Sequence, residues 1–203
     1  MIMAIKKISL CVLFLFFFMV FSYAGNIDDI FKDFSSVQTI ASSFTMEKYL
    51  SISQKPFISS GKFYFKNPDF LKWQYFAPFE YGFMIDGNKT FSWQYNNNGK
   101  REVKDISNQP MAKAMVSQLY VFIVMDKDSI SKTYKIEESE GGIVLYPKDN
   151  STKQMIENIK IIFSSSIAAV RKVVILNRNG DKTIITFSGT EINKDLPENV
   201  RVI

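Results

Sequence analysis

The chain reads as a mainly β protein, a meander of about eleven antiparallel strands closing as either a barrel or a strongly curved sheet. Three observations lead there. Apolar and polar residues alternate at period two through most of the chain, as a half-buried strand requires. Turn chemistry separates the runs: Asp86-Gly87, Asn97-Asn98-Gly99, Gly141-Gly142 and Asn179-Gly180-Asp181 suit hairpins, and Pro68 and Pro78 stand where a ladder must stop. The runs also follow one another closely, so sequence neighbours pair.

Residues 1–24 read as a secretory signal peptide, with residues 25–203 as the single mature domain. Lys6 and Lys7 precede an apolar run from Ile8 to Phe21, and Ser22-Tyr23-Ala24 gives a small-residue end. The competing reading is an uncleaved anchor, for which the run is short. Cys11 lies early in it, whereas a lipid-modified cysteine would sit at its end. The mature chain therefore has neither cysteine nor histidine. Export without disulfides suits a periplasm-like compartment and a core large enough to need no staples. Without Lys6 and Lys7, 23 of the 25 basic residues remain against 20 acidic ones. They are scattered, which argues against nucleic acid.

Ile27 to Val37 reads as an amphipathic helix. Ile27, Ile30, Phe31 and Phe34 recur at three- and four-residue spacing, with Asn26 as N-cap and Asp28 and Asp29 at the positive end of the dipole. Phe44, Met46, Lys48 and Leu50 then alternate with Ser43, Thr45 and Glu47. The stretch from Ser59 to Tyr95 is the most aromatic: Phe63, Phe65, Leu71, Trp73, Tyr75, Phe91, Trp93 and Tyr95 take alternate positions. Lys62, Lys66, Lys72, Gln74 and Gln94 are expected on the opposite face. Further strands are expected at 101–106, 132–138, 142–146, 154–164, 168–177, 182–191 and 200–203. Gln109 to Met125 breaks the rhythm. Its first part reads as a helix with Met111, Met115, Leu119 and Phe122 on one face, beside Ala112, Val116 and Ile123. Those methionines are either core filler or a surface that adapts to ligands of varied shape.

The chemistry available is narrow. Without histidine or cysteine there is no Ser-His-Asp or Cys-His system and no zinc site built on those residues. Glu47, Asp69, Glu80 and Asp86 are the carboxylates from which a glycosidase pair would be drawn, and none has a distinguishing context. The nine glycines are dispersed among turns, so no phosphate loop forms. Binding is the better class than catalysis.

From Ile27 to Ile203 the chain resembles the periplasmic outer-membrane lipoprotein carrier family (LolA). The carriers of the resemblance are Ala41-Ser42-Ser43-Phe44-Thr45 after the first helix, the Gly61-to-Pro68 strand, Leu71-Lys72-Trp73-Gln74-Tyr75 and Trp93-Gln94-Tyr95. Pro78, Glu80, Asp86-Gly87, Leu145-Tyr146-Pro147-Lys148 and Leu196-Pro197-Glu198-Asn199-Val200 complete it, in order. The resemblance implies a half-open antiparallel β-barrel covered by helices; length supports a single domain, no residue pattern calls for a cofactor or metal, and transport suits a monomer. Members take an acylated lipoprotein from an inner-membrane ABC-type lipoprotein-releasing complex, shield its acyl chains across the periplasm and pass it to an outer-membrane receptor.

On that basis Phe44, Met46, Phe63, Phe65, Leu71, Trp73, Tyr75, Phe91 and Trp93 are expected to line the acyl cavity, the alternative being that they make a dry, fully packed core. Ile30, Phe34, Met111, Met115, Leu119 and Phe122 are expected in the lid. Well-studied members have an arginine before the proline that ends the Phe63–Phe65 strand; Asn67 stands there, which makes it the candidate lid latch. The sequence ends at Ile203, where some members carry a further segment that keeps cargo from returning. The alternative is a related lipid-binding shuttle or envelope sensor whose cargo is a glycolipid or another amphiphile.

Overall fold

The computed structural model describes residues 27–109, 123, 125–166 and 168–203. Eleven strands form one antiparallel sheet that is not closed into a barrel. In chain order they are β1 (Thr39–Tyr49), β2 (Phe57–Lys66), β3 (Phe70–Ala77), β4 (Tyr81–Asp86), β5 (Lys89–Tyr95) and β6 (Arg101–Asp105), then β7 (Tyr134–Ser139), β8 (Gly142–Pro147), β9 (Ile156–Phe163), β10 (Val170–Asn177) and β11 (Lys182–Ile192). Their order across the sheet is β6-β5-β4-β3-β2-β1-β11-β10-β9-β8-β7. Two hairpin meanders therefore meet where β1 pairs with β11, from Ile40 opposite Ile192 to Tyr49 opposite Lys182. The outermost strands, Arg101–Asp105 and Tyr134–Ser139, are short and rich in charge, which discourages edge-to-edge pairing.

Helix α1 (Ile27–Ser35) forms as its periodicity predicts and buries Phe31 and Phe34. Two further short helices interrupt the expected strands. α2 (Lys127–Thr133) is capped by Asp126, which accepts from the Asp128 and Ser129 amides. α3 (Asn150–Met155) is capped by Asp149, which accepts from Thr152 N–H. In each, the cap carboxylate satisfies amides that the first helical turn leaves without partners. The strands expected at 132 and 154 accordingly begin at Tyr134 and Ile156. The strand expected at 200–203 is instead part of a 3-10 turn, Glu198–Arg201, whose Val202 N–H returns to the Asn199 carbonyl.

Alternation splits the core by face. On the concave side an aliphatic cluster lies beneath α1: Phe31 and Phe34 meet Ile143, Leu145, Ile159, Ile161 and Phe163. Beside it is an aromatic cluster of Phe44, Phe63, Phe65, Leu71, Trp73 and Ile85. On the convex side Phe70, Met84 and Trp93 are covered by Val200 of the C-terminal turn. Asn193 pins the joint after α1. Its Oδ1 accepts from Gln38 N–H at 2.7 Å, its Nδ2 donates to the Ser36 carbonyl at 3.3 Å, and its own backbone sits at φ +56°.

Candidate functional site

The aromatic wall is built by register. Phe44 on β1 faces Gly61 on β2 and Phe187 on β11; Phe63 and Phe65 on β2 face Trp73 and Leu71 on β3; Trp73 faces Phe83 on β4. Because directly opposed residues project to the same side, five strands contribute to one surface. Phe44 lies 4.8 Å from Trp73 and 5.1 Å from Tyr75, ring centre to ring centre. Phe63 sits 5.2 Å from Trp73 and 6.2 Å from Phe187. The Tyr75 and Tyr81 rings stack at 4.3 Å, and the Tyr75 hydroxyl donates to Met46 Sδ at 3.9 Å. Burial, joined by the neighbouring Tyr81, pushes the Tyr75 phenol well above its usual range, so it stays neutral.

Exposure is graded along this wall. Phe65, Leu71 and Ile40 are buried at one end, whereas Met46 and Tyr75 are half-buried, and Tyr81 and Phe57 are 40% and 60% exposed at the other. Between the two ends the rings of Phe44, Phe63 and Trp73 are packed against one another. The wall therefore has a sealed floor and an apolar mouth at the end where β1 turns into β2 and β3 into β4.

Of the residues expected in the cavity, Phe44, Met46, Phe63, Phe65, Leu71, Trp73 and Tyr75 share this face. Phe91 and Trp93 do not. The hairpin closing at Asp86 opposite Lys89 puts Thr90, Ser92 and Gln94 opposite Ile85, Phe83 and Tyr81 on the concave side. Phe91 and Trp93 consequently oppose Met84 and Gly82 on the convex side, where Trp93 packs with Phe70 and Val200. Gln94, expected outside, belongs to the concave face.

Trp93 instead borders a polar groove of about 440 Å³ that also includes Lys62, Lys72, Gln74, Arg101 and the tail from Pro197 to Ile203. The buried Lys72 donates to the Val202 carbonyl at 2.6 Å there. Desolvation, then the charge of Arg101, lowers its pKa.

Ile30 and Phe34 lie over the aliphatic half of the sheet, with Phe34 and Phe163 rings 5.5 Å apart. Met111, Met115, Leu119 and Phe122 lie outside the described residues. Ile123, at the end of that segment, packs against the aromatic wall. Asn67 is half-buried at the end of β2, its backbone N–H donating to the Gln38 carbonyl at 2.8 Å. Sequence reasoning missed Phe83, Ile185 and Phe187. Ile185 and Phe187 do alternate, but their membership depends on β11 pairing with β1 across the whole chain. Among the described residues there is no cluster of three metal-ligating side chains and no helix long and apolar enough to cross a membrane.

The family model described as outer membrane lipoprotein carrier protein LolA matches residues 35–200. The chain belongs to the LolA family. This is a family of binding and carrier proteins of the periplasm. Among solved structures, the fold is similar to a LolA superfamily protein from Nitrosomonas europaea at 9% identity, covering 85% of this chain and 96% of that one, with a TM-score of 0.42. MucB is similar at 12% identity and a TM-score of 0.50, the match covering 86% of this chain and 62% of MucB. LprF from Mycobacterium bovis is similar at 11% identity and a TM-score of 0.40, covering 83% and 94%. At such identities the likeness to MucB concerns the fold alone. No curated protein matches the chain by sequence.

Proposed function

We propose that this LolA-family chain is a periplasmic carrier that shields the acyl chains of lipoproteins against its aromatic concave wall. In this reading residues 1–24 are a cleaved signal peptide, the donor is an inner-membrane ABC-type lipoprotein-releasing complex, and an outer-membrane receptor takes the cargo. The supporting observation is the wall itself, apolar on five adjoining strands, sealed at one end and exposed at the other.

The physical requirement is large. Each buried methylene is worth about 0.8 kcal/mol, so one long chain represents on the order of 10 kcal/mol against water. A carrier must match this and still release. Packed rings that part for cargo meet both needs, because the rings close on one another when the chain leaves. The role of the helices as a lid, with Asn67 as a latch at the end of β2, belongs to the same proposal.

Mass spectrometry of ligand extracted from the protein purified from the periplasm tests the reading. Acylated peptides support lipoprotein carriage. A free glycolipid or other amphiphile would favour a lipid shuttle, and an empty protein that fails to displace a fluorescent fatty acid would overturn both.

A further inference from the structure

Eleven large apolar side chains are exposed among the described residues, and six of them belong to two neighbouring strand connections. Ile52 is 93% exposed in the turn after β1, followed by Phe57 and Ile58 at the start of β2. Phe79, 76% exposed, stands in the turn after β3 between Phe76 and Tyr81. Since β1 and β3 run in the same direction, both connections emerge at one end of the sheet. That end is the mouth of the aromatic wall.

Charge at this end is net positive. Segments 47–58, 76–81, 95–102 and 177–182 hold Lys48, Lys55, Lys100, Arg101, Arg178 and Lys182 against Glu47, Glu80, Glu102 and Asp181. All four carboxylates are engaged: Glu47 accepts from the Tyr49 hydroxyl at 2.6 Å, Glu102 from Asn96 Nδ2 at 3.1 Å, Glu80 pairs with Arg101 at 3.1 Å, and Asp181 accepts from Ser51 N–H at 2.8 Å. The Asp181 contact also ties the 177–182 turn to the turn carrying Ile52, making one continuous rim. An apolar tip with a surplus of cations around it fits the boundary of an anionic bilayer, where apolar side chains enter the acyl layer and cations meet lipid phosphates.

We propose that this rim is a membrane-contact surface for anionic phospholipid bilayers, with Ile52 and Phe79 as its inserting side chains. The inference builds on the carrier reading, since docking there brings the open end of the wall to the surface that gives or receives acyl chains. The rim itself stands on exposure and charge.

Flotation tests it, using processed protein from the periplasm, its N-terminus verified by intact mass, and vesicles of phosphatidylcholine with or without phosphatidylglycerol. Binding is expected only with phosphatidylglycerol and is expected to weaken with salt. The double variant I52S/F79S, altered at two exposed positions, should bind at least about tenfold more weakly. K48Q/K55Q should weaken binding and flatten its salt dependence. Absence of binding, equal binding to both vesicles, or an unaffected I52S/F79S variant would overturn the proposal. So would a dimer in light scattering that I52S/F79S dissolves, which would assign the rim to a second copy. Fatty-acid displacement by the same variant separates the two readings. Displacement retained with vesicle binding lost supports the rim, whereas displacement absent in the wild type refutes the carrier reading and leaves the vesicle result to stand alone.

Discussion

Phe44 lies directly across the backbone of Gly61. The two are cross-strand partners between β1 and β2, and a β-carbon at position 61 would come within 2.8 Å of the Phe44 ring tip. It would also overlap the Gln74 carbonyl oxygen on β3. The missing side chain is what lets Phe44 tilt over the sheet and reach both Trp73 and Tyr75. Gly61→Ala should therefore cost about 1–3 kcal/mol or more by overpacking. Urea unfolding is expected to show this as a lower midpoint, and acyl affinity should fall with it.

The wall can be challenged without breaking the floor. Leu71 is buried, so Leu71→Glu would strand a charge and unfold the protein. Met46 and Ile185 are half-buried towards the mouth. Met46→Glu or Ile185→Glu should leave the circular dichroism spectrum unchanged and weaken fatty-acid binding by about tenfold or more, equivalent to about 1.4 kcal/mol.

Asn193 should control how firmly α1 is seated. Asn193→Ala loses the bonds to Gln38 and Ser36 and retains a left-handed backbone unfavourable to a β-carbon. A loss of roughly 1–3 kcal/mol is expected. Asn193→Gly, which relieves the backbone alone, should fall between it and the wild type. Hydrogen exchange of residues 28–37 should quicken in the same order.

Stability should decline in acid through aspartates held by hydrogen bonds, Asp105 with Ser107 among them. Asp149 is held well below the usual 3.8 by Ser151 and then Thr152, Asp126 is lowered mainly by Ser129, and Asp181 mainly by the Ser51 amide. Each binds protons more weakly folded than unfolded, so its contribution is complete above about pH 4 and is lost as pH falls through the lowered value. Melting temperature should fall as pH drops below about 4, and the Asp149→Asn variant should show a shallower fall.

Much of this architecture was legible in the residues. Period-two runs and the glycines at 99, 141 and 180, all at positive φ, mark strands and their turns without tertiary information. The direction in which a run points is a different matter. Phe91, Trp93 and Tyr95 alternate as cleanly as Leu71, Trp73 and Tyr75, yet hairpin register sends them to the opposite face. An aromatic convex face is tolerated because the tail covers part of it: Val200 packs on Trp93, and Arg201 lies 4.6 Å from the Phe70 ring while pairing with Asp86. No local pattern in β5 announces a cover a hundred residues away. The short helices α2 and α3 escaped for a related reason, since fewer than two turns carry too little periodicity and only their aspartate caps distinguish them.

The two tryptophans allow the most direct test of the carrier wall, because they lie on opposite faces of one sheet. Quenching by a brominated fatty acid should be measured in Trp93→Phe, which keeps only Trp73, and in Trp73→Phe, which keeps only Trp93. Strong, saturable quenching of Trp73 with Trp93 little affected is the predicted result. Equal quenching of both, or quenching of Trp93 alone, would contradict an acyl site on the concave face.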